Sequence, residues 1–201
     1  YFKNYKIHFA FSYEITIENH SKDSVQLTSR HWEIYDSLND LEYVINESNK
    51  SGDTGTALIG TLMKAYTFQL LVDVFGDVPY TEALQGTNNI TPKTTEGSQI
   101  YLDLLSKIDA SLNSYQANPV ASTVGKQDNI FEGDMDSWVK FANTLKLKIY
   151  LRMAYTTLAN PTAVNQLLAE NNFLDVDAKF SNFGTGLNQR NPFFEVQITF
   201  L

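Results

Sequence analysis

Five stretches of this 201-residue chain place apolar residues at steps of three and four, the period of a helix with one buried face. That repetition limits the fold more than any other feature. Trp32, Tyr35, Leu38, Leu41 and Ile45 predict a helix over 30–49, closed by the polar run from Asn49 to Gly52. Leu58, Leu62, Ala65, Leu71, Val72 and Phe75 predict a second over 54–75; Gly76 is placed as its left-handed C′ residue, and Pro79 blocks continuation. Ile100, Tyr101, Leu104, Leu105, Ile108 and Leu112 predict a third over 95–115. A fourth runs over 136–159, with Asp136 as N-cap and Trp138, Phe141, Ala142, Leu145, Ile149, Arg152 and Tyr155 along it. Asn160 caps a fifth with Pro161 at its first position, carrying Val164, Leu167 and Leu168 and stopping near Asn171–Asn172. Residues 81–94 and 118–125 read as loops. Pairing 30–49 with 54–75, and 95–115 with 136–159, gives a mainly all-α, right-handed array of helix hairpins. The pairs are tetratricopeptide-like, although the tetratricopeptide consensus is not visible and the spacing is irregular.

The start of the chain has the other period. Tyr5, Ile7, Phe9, Phe11, Tyr13, Ile15 and Ile17 alternate with mostly polar residues, which predicts one half-buried strand over 5–17. The chain opens at Tyr1 and closes on an apolar run, Val196 to Leu201, and both ends read as cuts in a longer protein. The expected division is an extended segment 1–29, a helical scaffold 30–194 and the truncated start of a further part at 195–201.

Composition removes several function classes. Hydrophobic residues are 43% and charged residues 19%, enough to build a core and too apolar for disorder. There is no cysteine, which excludes disulfides, thiol nucleophiles and Cys-ligated metals. Net charge is −8, and 12 of the 15 basic residues are lysine, so a duplex nucleic-acid binder is disfavoured. No run approaches 18 consecutive apolar residues, so no membrane span is expected. Catalytic signatures fail in turn. Gly55-Thr-Ala-Leu-Ile-Gly60 has phosphate-loop spacing but lacks the following Lys-Ser/Thr, and reads as a flexible start to a helix. Asp175-Val-Asp177 opens like a calcium loop, but Phe180 stands where glycine is required and Gly186 where glutamate is. His8, His20 and His31 have no metal spacing. No nucleophile, acid pair or metal motif emerges, so no enzyme activity, cofactor or metal is expected.

The segment Gln69-Leu-Leu-Val-Asp-Val-Phe-Gly-Asp-Val-Pro-Tyr-Thr-Glu-Ala-Leu84 joins a helix end to a glycine stop, an Asp-Val-Pro turn and a short restart. Gly76 supplies a positive φ and Pro79 fixes the exit. Asp73 and Asp77 are read as bonding to nearby backbone rather than to a cation. Asp73, Gly76, Asp77 and Pro79 form the structural motif.

This segment resembles the signature of the SusD/RagB family of surface glycan-binding lipoproteins of Bacteroidetes. The resemblance continues through Thr91-Pro92-Lys93 and Ile100-Tyr101. It then runs through Ile130-Phe131-x-Gly133-Asp134 into Trp138-x-Lys140-Phe141-Ala142-Asn143 and on to Arg152-Met153, and ends with Asn191-Pro192-Phe193. It spans about residues 30 to 194 and points to the SusD-like outer-membrane lipoprotein branch. Members are roughly twice this length, and the stretch 5–17 matches nothing in the pattern.

The resemblance implies a non-catalytic protein at the outer-membrane surface, held there by a lipidated cysteine outside this sequence. It implies capture of an oligosaccharide, or in some members a peptide, and delivery to a TonB-dependent transporter of the SusC type. A helical-repeat scaffold for protein partners, or a peptide-binding SusD-like protein, is the alternative. Sugar capture needs aromatic faces and amide, carboxylate or guanidinium partners for hydroxyls. Trp32, Tyr80, Asn188, Gln189, Arg190 and Asn191 are the candidate ligand-binding residues. Trp32 shares a face with Tyr35 and Leu38 and also suits the core; Trp138, on the apolar face of its helix, is read as core.

Overall fold

A computed structural model describes residues 6–9, 13–16, 32–85, 88–89, 91–121, 124–125, 127–180, 183–184, 186 and 190–191, the backbone alone for 6–9, 13–16 and 32–36. The chain forms two compact units, 35–178 and 1–34 with 179–201. The helices are α1 (Trp32–Ser51), α2 (Thr54–Phe75), α3 (Gly97–Ala117), α4 (Met135–Met153) and α5 (Pro161–Glu170). The strands are β1 (Lys6–Phe9), β2 (Tyr13–Thr16), β3 (Val78–Pro79) and β4 (Thr94–Thr95). The mainly helical fold read from periodicity is therefore present, and α2 spans the predicted 54–75.

The larger unit is built around α2. Asp53 caps it, its side chain accepting from the Thr56 N–H at 3.0 Å. Glu42 on α1 is ion-paired with Lys64 on α2, and Ile45 lies against Gly60, so these two helices are antiparallel. At the far end, α3 begins beside Val72, and just past its last residue the Asn118 carbonyl accepts from the Thr54 hydroxyl at 2.5 Å. Thus α3 is antiparallel to α2. Lys146 on α4 pairs with Asp109 on α3, while Tyr66 on α2 meets Phe141 on α4 and Asp73 meets Arg152. Hence α4 runs parallel to α2. Between them lie the fully buried Leu58, Leu62, Phe68, Ile100, Leu104, Ile108, Trp138 and Ile149. Trp138 is 1% exposed, a core residue as expected. By length and hydropathy α2 would span a membrane, the only such helix among the described residues. Its Lys64, Gln69 and Asp73 bond neighbouring side chains, and ten of its residues are buried, as in a core helix.

Several boundaries differ from expectation. The period-2 segment is two strands, not one: β1 and β2 pair antiparallel, with Ile7 opposite Ile15 and Phe9 opposite Tyr13. Odd positions pair with odd positions, so the alternation passes unbroken through the reversal, and each half gives the other its backbone partners. Residues 10–12 and the rest of 1–31 lie outside the described residues. The N-cap of α4 is Asp134, whose carboxylate accepts from the Asp136 N–H (3.1 Å) and the Ser137 hydroxyl (2.7 Å). Asp136 lies in the first turn instead. The helix stops at Met153, six residues before the expected end, because Thr156 turns back and gives both its N–H (3.0 Å) and its hydroxyl (2.8 Å) to the Met153 carbonyl. The segment read as a loop over 81–94 ends in β4, which pairs with β3: Val78 opposite Thr95 and Pro79 opposite Thr94. Gly55 is a point of close approach, not of flexibility. Its N–H donates to the Val120 carbonyl at 2.6 Å, and a Cβ there would fall 2.5 Å from the Ala121 methyl.

Candidate functional site

The turn after α2 sets the geometry. Gly76 has φ 75° and ψ −118°, and its N–H donates to the Val72 carbonyl at 2.9 Å. The positive φ is as expected, but the ψ is not that of the left-handed helix expected at a C′ residue. The pair of angles matches the first central position of a type II′ turn, which glycine dominates. Asp77 then bonds backbone, but twenty residues away: its Oδ1 accepts from the Gly97 N–H at 2.9 Å and caps α3 from outside. Asp73 bonds side chains instead of nearby backbone. It accepts from the Tyr101 hydroxyl, the Gln69 amide, and Arg152 Nε (3.0 Å) and Nη2 (2.8 Å). One carboxylate at the end of α2 thus ties in α3 and α4. The Gln69 Oε1 beside it is buried with no hydrogen-bond partner among the described residues. A shallow recess of about 740 Å³ next to this node includes Asp73, Asp77, Tyr101 and Arg152.

On the other side of the turn is a cleft of about 510 Å³. Tyr80 forms part of its wall. It is 8% exposed, its ring stands edge-on to Phe68 at 4.7 Å, and its hydroxyl donates to Asp103 and accepts from Lys107 at 3.0 Å. Burial, then the hydrogen bond to Asp103, pushes the Tyr80 hydroxyl far above the ordinary tyrosine range. Asp103 and Lys107 are themselves paired at 2.7 Å. Burial alone would raise the Asp103 carboxyl, but the bonds from Lys107 and Tyr80 outweigh it and hold it below the usual range. The Lys64–Glu42 pair also lines the cleft. Glu82 organises the segment after Tyr80, accepting from the Lys93 N–H at 3.0 Å and the Asn89 amide at 3.3 Å, which holds its carboxyl low.

A third node lies in the 128–138 segment. Asp128 Oδ1 accepts from the N–H groups of Ile130 (2.9 Å) and Phe131 (3.2 Å), and Oδ2 from the Gly133 N–H (3.1 Å) and the Trp138 indole N–H (2.7 Å). Phe131 and Phe141 meet the indole edge-on at 5.0 and 5.6 Å. Sequence reading missed Asp128; its only signal was an aspartate two, three and five residues before turn N–H groups, with Gly133 closing the turn.

Of the other candidate ligand residues, Arg190 and Asn191 are half-buried and belong to the unit made of 1–34 and 179–201. Phe180 and Phe183 of that unit meet edge-on at 5.1 Å. Trp32 begins α1, with only its backbone described, and Asn188 and Gln189 lie outside the described residues, as do Pro192, Phe193 and the run 195–201.

Residues 4–190 match the SusD-like family described as "Starch-binding associating with outer membrane". The chain belongs to that family. This SusD-like chain also resembles solved structures. A SusD/RagB family protein from Bacteroides thetaiotaomicron shares 26% identity with a TM-score of 0.69, over 83% of this chain and 35% of that one. A SusD homolog from Bacteroides uniformis shares 24% identity with a TM-score of 0.68, over 83% and 34%. A chitin-binding protein shares 26% identity with a TM-score of 0.58, over 73% and 31%. The SusD-like chain therefore spans about a third of the length of the structures it matches. No curated protein matches it.

Proposed function

We propose that this protein is a non-catalytic binder that captures an oligosaccharide at the outer-membrane surface and hands it to a SusC-type TonB-dependent transporter. The observation that carries the reading is the family match over residues 4–190, with the signature turn tied to α3 and α4 through Asp77 and Asp73. The starch-binding description of the family and the chitin-binding protein at 26% identity favour a carbohydrate ligand. The protein is lipid-anchored. Tyr80, Trp32, Asn188, Gln189, Arg190 and Asn191 remain the proposed ligand contacts.

The ionisable groups described above are engaged in caps, ion pairs and structural hydrogen bonds, which supports binding over chemistry. Sugars exchange water hydrogen bonds for protein ones at little net gain, so affinity is about micromolar to millimolar. Calorimetry of the protein with neutral glycan and peptide panels, followed by analysis of the recovered ligands, tests the reading. Intact, bound oligosaccharide is expected; cleaved product that disappears on changing one acidic pair would overturn it. Co-purification with a SusC-type transporter tests the delivery step.

A further inference from the structure

The cleft beside the signature turn is lined by both charged and apolar residues. Lys107–Asp103 and Lys64–Glu42 each set an ammonium against a carboxylate. Ala83 and Leu84 give it apolar surface. Leu84 has φ 63°, a conformation a branched side chain rarely takes, on the segment that Glu82 ties down. Strain of this kind persists only where surroundings impose it, and it concentrates at ligand clamps. The volume, about 510 Å³, falls in the about 300–1,000 Å³ range of small-ligand sites.

We propose that this cleft is a subsite for a neutral sugar ring read through vicinal hydroxyls; the assignment rests on the carbohydrate reading above and adds its place and its charge preference. A vicinal diol offers one oxygen to accept from an ammonium and one hydroxyl to donate to the adjoining carboxylate, and each ion pair presents that combination. The four charged groups cancel, so an acidic sugar gains two ammoniums and meets two carboxylates. A purely apolar ligand would strip water from all four. The C–H face of a ring suits the apolar surface of Ala83 and Leu84. The Tyr80 ring packs on Phe68, with the Lys107 ammonium over it at 4.8 Å, so the grip comes from hydrogen bonds more than from stacking.

The test is titration of the full chain with maltotetraose, chitotetraose and tetragalacturonate. Asp103→Asn, Glu42→Gln and Leu84→Gly are compared with wild type, and Lys140→Ala, at the exposed pair with Asp175, serves as control. A neutral tetrasaccharide is expected to bind, each acid variant to weaken it at least tenfold, and the control to leave it unchanged. If Asp103→Asn does not fold, Glu42→Gln on the other pair carries the same expectation. Neutral binding undiminished in both acid variants would overturn the subsite and leave the carbohydrate reading standing. Tighter binding of tetragalacturonate would overturn the charge preference. No binding of any of the three sugars by the folded chain would overturn the subsite together with the reading beneath it.

Discussion

Asp128 accepts four hydrogen bonds within eleven residues, and one of them comes from the indole of a tryptophan that is 1% exposed. Replacing it by alanine removes the acceptor for a buried indole N–H and for three turn amides at once. With about 1–3 kcal/mol for a buried donor left unpaired, Asp128→Ala is expected to cost about 2–4 kcal/mol in urea unfolding. Asp128→Asn keeps one acceptor oxygen and should recover part of that loss. A cost below about 0.5 kcal/mol for the alanine variant would show that the node is dispensable. Gly76 makes the second prediction at this scale. Its φ of 75° penalises any Cβ, although no atom lies within 4 Å of where one would be. Gly76→Ala is therefore a clean measure of backbone strain, expected to cost about 1–2 kcal/mol with the unfolding slope unchanged. The two residues were unequally visible in the sequence. A glycine after a helix, followed by Asp-Val-Pro, announces a positive φ, whereas an aspartate among polar loop residues announces nothing until its donors are placed around it.

Among the elements, the helices were legible because their apolar residues recur at steps of three and four; on α2, α3 and α4 many of those positions are buried, whereas on α5 only Leu167 is. What escaped is settled by contacts the period does not encode. The end of α4 is decided by Thr156 turning back onto Met153, and the β3–β4 bridge by residues fifteen and seventeen apart meeting across a turn. The cleft was half legible. Tyr80 was picked out by the signature, but Asp103, Lys107, Glu42 and Lys64 come from three helices, and no local pattern joins them. Likewise nothing local distinguishes Gly97, yet a Cβ there would fall 2.8 Å from Val72 Cγ1 and 3.4 Å from the Gly76 carbonyl oxygen. The α2–α3 crossing is set by that absence of a side chain. Gly97→Ala should cost about 1–3 kcal/mol by overpacking. Combined with Val72→Ala, which vacates the obstructing methyl, the double variant should lose less than the sum of the two single changes. Strict additivity in a double-mutant cycle would mean that the helices do not meet there.

For the molecule as a whole, stability is expected to fall away at both ends of the pH scale, for different groups. The carboxyls of Glu82, Asp103, Asp134 and Asp175 are all held below their ordinary values. Asp134 is held mainly by the Ser137 hydroxyl, and Asp175 by Lys140. Because the unfolded chain takes up these protons first, their contribution is complete above the ordinary values, 3.8 for Asp and 4.5 for Glu, and is lost as pH falls below them. The hydroxyls of Tyr80 and Tyr101 are shifted the other way, by burial first and then by their bonds to Asp103 and Asp73. Here the unfolded chain releases its protons first, so stability is lost as pH rises past the ordinary value of 10.0. Both tyrosines sit where α3 meets the signature turn, and ionising either would set a phenolate against a carboxylate. Alkaline loss of structure should therefore begin at that junction, with phenolate absorbance and helix signal changing together. Urea midpoints measured across the pH range should drop on both arms. In Tyr80→Phe/Tyr101→Phe the acid arm should persist, and the alkaline arm should flatten relative to its own neutral-pH value. An alkaline arm as steep in that variant as in the wild type would show that other groups govern it.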